Sequence, residues 1–434
     1  MVGWVVLACL SMPSPAEIPG DDAVAVLAAT RSWLTAAAKA GDPLAPVVLA
    51  LWPEALRQDE TGEGGGDLLF GVYRDPAARR LAPFAGPEAR GTNGTQGVLA
   101  AERQALAKAA PGALFYGVLQ VQRLYGLLAR TPDGARFSGR IRRLGLEGLG
   151  VVTLAGRRDH DGRLVADLRV TVRSPHAGIL DALGPPAPAI RPTEVPTAAL
   201  AWGRVMLRPA RLWAVAQKVL AQLDALQVTL ATAQLQGIED ELRLSLDRAL
   251  GDDGRPTLAY LSRTKGERLD LVVAAELADP FAVLTLCERY TQVLTALLPD
   301  LRFAATDGPE GRTLSVAHRR RAEEPFLALA VRAATARERP AVLVVATSKA
   351  ALSAYLKRKV AAAPAASGEA VATAAVNGEL LPVWLQATGR SRPDAGALAA
   401  ALADTRLRLL WHGDELHLEA VTTSRALSPK AARD

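Results

Sequence analysis

From Leu164 the chain alternates apolar and polar positions through LVADLRVTV, reaches Ser174-Pro175, and then changes to helical spacing toward Leu180. Leu164, Ala166, Leu168, Val170 and Val172 share one strand face, while Asp167, Arg169 and Thr171 share the other. This division predicts an antiparallel strand buried on one side only. Ser174 would accept from the first free amides of a following helix, and Pro175 stands where a missing N–H costs nothing. The same order of events recurs at LDLVVAAELADPFAVL from Leu269, with Asp279-Pro280 at the handover. It returns in looser form at PAVLVVATSKAALSAYL from Pro340, where Ser348 opens the helix.

The remaining chain parses by period in the same way. AVAVLAAT at 23–30 reads as a strand before a helix in RSWLTAAAKAG, and ALFYGVLQ as a strand before a helix in VQRLYGLLAR. LGVVTLAG is a strand that the Asp161-Gly162 turn joins to the one from Leu164. AALAWGRVML is a strand feeding one long helix over 208–226, whose stripe is Leu212, Val215, Ala216, Val219 and Leu223. ELRLSLDRAL alternates and reads as a strand, with hairpin turns at Asp253-Gly254 and Lys265-Gly266 following it. LRFAATDG, RTLSVAHRRR, PFLALAVRAA and PAVLVVAT read as strands, as does AVATAAVN, and a hairpin from Thr405 to Thr422 turns at Gly413-Asp414.

These elements predict an α+β fold made of repeated modules of antiparallel sheet, with helices packed on one face. The expected divisions are a signal-like segment and tether at 1–22, an N-terminal α/β segment at 23–110, and a first module at 111–196. A second and a third module fill 197–362, and a strand-helix-hairpin module fills 363–434. The Pro-rich stretch Leu183 to Pro196 and the small-residue stretch Ala361 to Ala370 mark the later boundaries.

Composition narrows the function classes. With 434 residues, 50% of them hydrophobic, the chain can bury a large core and exceeds one ordinary domain. Its net charge is +6, but the arginines alternate with acids, and the few aromatics do not interleave with them as base-stacking platforms would. Nucleic acid is therefore not an expected partner. Of the two cysteines, Cys287 falls in a helical stripe with Val283, Leu286, Tyr290, Val293 and Leu297, where burial accounts for it. Cys9 ends the apolar run VGWVVLAC, which is too short to span a bilayer and has the length of an export signal's apolar centre. Val6-Leu7-Ala8-Cys9 resembles a bacterial lipoprotein signal, which implies lipidation of Cys9 after cleavage. Leu7 stands where such signals carry a small residue, and cleavage after Ser14-Pro15-Ala16 is a second route to export.

The search for catalytic chemistry finds no Gly-x-Ser-x-Gly, His-Glu-x-x-His or Cys-x-x-Cys, and the loop Arg57 to Asp67 lacks the Gly-Lys-Ser/Thr of a phosphate cradle. His160 sits between Asp159 and Asp161 on an expected hairpin tip, His176 in the first turn of the helix after Pro175, and His318 in a charged connection. His412 and His417 form the best pair. A two-residue turn at Gly413-Asp414 sets His412 opposite Glu415 and Leu410 opposite His417, with Arg406, Arg408 and Glu419 on the same face. Leu407, Leu409, Trp411, Leu416, Leu418 and Ala420 fall on the other. One wet and one dry side account for this pattern without a metal, so no catalytic residue, metal ligand or cofactor is assigned.

The motifs PAVLVVATSKAAL and PTLAYLSR, with the strand-helix-strand grammar from Ala113 to Val360, resemble a poorly characterised family of exported bacterial proteins known only by a domain of unknown function. The resemblance implies export and a role in the cell envelope. The expected function is that of an exported, envelope-associated, non-enzymatic binding or structural protein, its partner an unknown protein or small molecule and its membrane attachment a lipid on Cys9. The alternatives are an envelope hydrolase with dispersed catalytic residues and a cytoplasmic interaction protein.

Overall fold

The computed structural model describes residues 23–29, 68–75, 80–87, 115–128, 139–188, 192–221, 225–263, 269–297, 300–308, 311–319, 325–333, 340–358, 368–378, 380 and 404–423, less positions 140, 143 and 162. Cys9, the helix expected after Thr30, the turn at Lys265-Gly266 and most of GELLPVWLQATG lie outside them. Two compact units emerge, one from residues 1–139, 147–174 and 376–434, the other from 140–146 and 175–375. All strand pairings given below, apart from that of β16 with β8, are antiparallel.

In the first unit, β1 (Ala23–Ala29), β2 (Leu68–Asp75), β3 (Arg80–Pro87) and β4 (Phe115–Gln120) precede α1 (Val121–Leu128), β5 (Leu149–Arg158) and β6 (Leu164–Val172). The chain returns to this unit near its end as the hairpin β17 (Asp404–His412) and β18 (Glu415–Thr423). The order across the sheet is β17-β18-β6-β5-β4-β1-β2-β3. Register follows the alternation, with Leu410 opposite His417, His412 opposite Glu415, and β18 continuing onto β6 from Glu415 against Thr171 to Thr422 against Leu164. Gly413 turns the hairpin at φ +58. The Gln122 side chain at the start of α1 donates to the carbonyls of Glu147 and Leu149, which ties the helix to the entry of β5.

The second unit contains β7 (Ala187–Pro188), β8 (Ala199–Leu207), α2 (Pro209–Leu220), α3 (Ala225–Leu242), α4 (Leu246–Leu250), β9 (Arg255–Arg263) and β10 (Leu269–Glu276). It continues through α5 (Pro280–Leu297), β11 (Leu301–Gly308), β12 (Gly311–His318), β13 (Leu327–Arg332), β14 (Val342–Ala346), α6 (Lys349–Leu356), β15 (Glu369–Ala370) and β16 (Ala372–Asn377). The sheet runs β11-β12-β13-β14-β10-β9-β8, with β16 beside β8, and β7 pairs with β15 separately.

Helices cover both faces of this sheet, not one as expected. Ala351, Leu352 and Tyr355 of α6 pack with Val272, Ala274, Ala328, Ala330, Val344 and Ala346. The alternate residues Leu329, Val331 and Leu343 pack with Leu284 and Cys287 of α5 on the opposite side. Because every central strand carries apolar residues at both parities, each face needs its own layer. Asp279 accepts from the Ala282 amide at 2.9 Å and opens α5, and Ser348 accepts from the Ala351 amide at 3.1 Å and opens α6, so both handovers form as read.

Three local expectations fail. No helix follows Ser174-Pro175; the segment is a run of turns. Gly178 adopts φ +61 against Gly145 at φ +71, and a Cβ on Gly178 would lie 2.1 Å from the Leu144 carbonyl oxygen. The Ile179 amide donates to that carbonyl at 2.9 Å, so a tertiary bond replaces the helical one. The single helix over 208–226 is two, α2 and α3; of the expected stripe Val215 is buried, Leu212, Ala216 and Val219 are half-buried, and Leu223 lies outside the described residues. ELRLSLDRAL is no strand: α3 runs to Leu242, Arg243 takes φ 52, and Ser245 caps α4 by accepting from the Arg248 amide. Asp253-Gly254 is consequently a helix-to-strand link, in which Asp252 holds Arg211 of α2 at 2.8 Å. No helix among the described residues is long and apolar enough to cross a membrane.

Candidate functional site

The sequence-predicted histidine pair lies where β17, β18 and β6 meet. Their common face carries His412, Glu415, His417, Glu419, Asp167, Arg169 and Thr171 in register. The His412 and His417 ring centres are 6.3 Å apart. His417 Nε2 is 3.1 Å from Asp167 Oδ1, Arg169 is 3.7 Å from Glu415, and Arg408 is 3.7 Å from Glu419. All three contacts cross between strands, so the polar groups of this half-exposed face are largely paired with one another.

At the end of this face the β5–β6 ladder slips its register between Leu149 and Val152, which marks a bulge at Gly150-Val151. The Thr171 hydroxyl fills the gap: it accepts from the Val151 amide at 2.7 Å and donates to the Val151 carbonyl at 3.4 Å. A Cβ on Gly150 would meet Thr171 Oγ1 at 2.4 Å, so the bulge closes on the hydroxyl only with glycine there. The Val172 amide donates to the Asp414 carbonyl at 2.7 Å, and the Arg173 amide to the Gly148 carbonyl at 2.9 Å. Together the bulge, the end of β6 and the hairpin turn bound an open groove of about 540 Å³, lined by Val151, Thr171, Arg173, His412, Asp414 and Glu415 among others. Its Thr171 hydroxyl is spent on backbone and is not a free nucleophile.

The other histidines stand apart. His160 is exposed and lies 3.4 Å from Asp161, in a turn where Asp159 accepts from the amides of Asp161 and Arg163. His318 ends β12 with its ring 5.0 Å from Phe326. His176 follows the failed helix start. Cys287 is half-buried against the clusters around Val283 and Leu284, and that burial pushes its thiol up. Among the described residues no group of three His, Cys, Asp or Glu is placed to hold a metal ion.

Sequence reading missed a second polar constellation, beneath α6 in the other unit. Arg332 at the end of β13 lies 3.7 Å from Glu194, and its guanidinium carbon sits 5.0 Å from the centre of the buried Tyr355 ring. Arg358 donates to the Glu194 carbonyl at 2.8 Å, and Tyr355 stacks on Tyr260 at 6.4 Å. Burial pushes the Glu276 carboxyl up, against the opposing pull of Arg204, Arg255 and Arg332. Burial likewise raises the Tyr355 and Tyr260 hydroxyls. Asp270 is fully buried and accepts from Thr347 Oγ1 at 3.2 Å. These residues come from four separate stretches, so no spacing along the chain signals them; a polar residue closing each alternating strand is the only trace.

Compared with known proteins, the chain matches no protein-family model, no curated protein and no solved structure.

Proposed function

We propose that the chain is an exported protein, held at a membrane surface through lipidated Cys9, that binds a small ligand without transforming it. The groove at the β5 bulge carries the binding part of this reading. A bulge that opens a ladder beside a turn, with a neutralised charged face leading into it, is a surface built for recognition. Export rests on the apolar run into Cys9 and on the resemblance of the strand grammar to exported envelope proteins. The handovers at Asp279-Pro280 and Ser348 support a modular origin for the sheet.

Two measurements test the reading. In its own host with labelled palmitate, wild type should carry label and sediment with membranes, and Cys9→Ser should move to the aqueous fraction with an unchanged melting temperature. Unlabelled protein in the cytoplasm with Met1 retained overturns export. For the groove, Val151→Trp that keeps the wild-type melting temperature should lose the thermal shifts wild type shows against a panel of sugars, amino acids and short peptides; retained shifts overturn it.

A further inference from the structure

The rim of the groove holds two opposite charges that the face has not used. Arg173 follows the last residue of β6 and Asp414 lies in the hairpin turn; both are exposed. They flank the hydrogen bond from the Val172 amide to the Asp414 carbonyl, so they stand on either side of one backbone contact at the groove's mouth. Neither side chain has a hydrogen-bonding or ionic partner among the described residues. Beside them the lining includes Gly150 and the half-buried Val151, while Val172 is only 3% exposed. Further along the face, Asp167, Arg169, Arg408, Glu415, His417 and Glu419 are already paired.

This arrangement discriminates by charge. A simple anion satisfies Arg173 but meets Asp414, with Glu415 behind it; a simple cation meets Arg173. A ligand carrying both signs satisfies both rim residues and can lay its body on Val151. Resting on the groove being the binding site, we infer that its ligand is a small zwitterion, a short peptide with both ends free, its carboxylate on Arg173 and its ammonium on Asp414. The volume of about 540 Å³ admits a di- or tripeptide. Charge-assisted hydrogen bonds at both ends supply the selectivity, and water retained around an open groove keeps the affinity modest.

The test is calorimetry on the full chain with four probes: trialanine, N-acetyl-trialanine, trialanine amide and the doubly blocked peptide. Trialanine should bind, and each single block should weaken binding about tenfold or more, the scale of one charge-assisted bond. Arg173→Ala should abolish the preference for the free carboxylate only, and Asp414→Asn the preference for the free ammonium only. Both positions are exposed, so both variants should keep the wild-type melting temperature. Equal binding of all four peptides, or no binding of trialanine at millimolar concentration, overturns the zwitterion assignment. Failure of the groove itself looks different: trialanine then binds Val151→Trp as well as it binds wild type.

Discussion

The two sheets treat their polar residues in opposite ways. On β6 and β18 the charged parity faces water, and Asp167, Arg169, Glu415 and His417 meet one another across strands. On β10 the polar-ended parity faces inward: Asp270, Val272, Ala274 and Glu276 lie on the side that α6 covers, while Leu271 is 41% exposed on the other. Both strands alternate, yet alternation alone does not say which parity is buried. The second layer decides. Where α6 lands on Val272, Val344 and Ala346, the strand residues in that row go inside whatever their polarity, and Asp270 is then held by Thr347.

The largest expected effect tests that layer. Leu352 of α6 is 2% exposed against the central strands, and Leu352→Ala should cost about 3 kcal/mol in urea denaturation, the usual range for a buried leucine whose cavity cannot collapse. If the loss is under about 1 kcal/mol, α6 is not what buries that face.

Next come the caps, where sequence reading and structure part. Asp279→Ala should destabilise by about 1 kcal/mol, because its carboxylate serves the Ala282 amide at the head of α5. Ser174→Ala should change the unfolding midpoint far less, since no helix begins there. Equal losses would mean that the turn after Ser174 depends on its hydroxyl after all.

That pair shows what was legible and why. The strands of the wet face, the hairpin register and the two working handovers follow from local alternation and capping, and they were readable. Ser174-Pro175 carries the same signal, but the crossing of Gly145 and Gly178 and the bond from Ile179 to Leu144 are contacts between distant residues, which override it. ELRLSLDRAL misleads for a different reason: Leu242, Leu244 and Leu246 alternate because one helix ends and another begins among them. Of the groove, His412 and Glu415 were legible from the hairpin. Its bulge was not, since a register slip between β5 and β6 depends on how two strands meet, and neither the Gly150 spacing nor Thr171 announces it.

Glu276 sharpens the comparison from the buried side. Its folded carboxyl titrates above the ordinary range because burial disfavours the charge. The folded state therefore holds a proton more readily than the unfolded chain, and this group's contribution to stability is full at acid pH and is lost as pH rises through the raised value. Glu276→Gln removes that penalty. The variant should show a higher urea midpoint than wild type at pH 7.5 and no advantage at pH 4, where both chains are neutral at this position. A lower midpoint at pH 7.5 would show that attraction to Arg204, Arg255 and Arg332 outweighs desolvation.

The smallest effect belongs to the open face. Arg169 and Glu415 lie 3.7 Å apart with both side chains more than a third exposed, so solvent screens their attraction and holding two long side chains together costs entropy. A double-mutant cycle of Arg169→Ala and Glu415→Ala should give a coupling below about 0.5 kcal/mol, shrinking further in 1 M salt. The same substitutions bear on ligand capture in another way, because Glu415 lines the groove and Arg169 neutralises it. Arg169→Ala frees the Glu415 carboxylate beside Asp414, which should tighten binding of a ligand's ammonium end while leaving the melting temperature nearly unchanged. A coupling above about 1 kcal/mol would place this pair among the structural contacts of the sheet and erase the contrast with the buried face under α6.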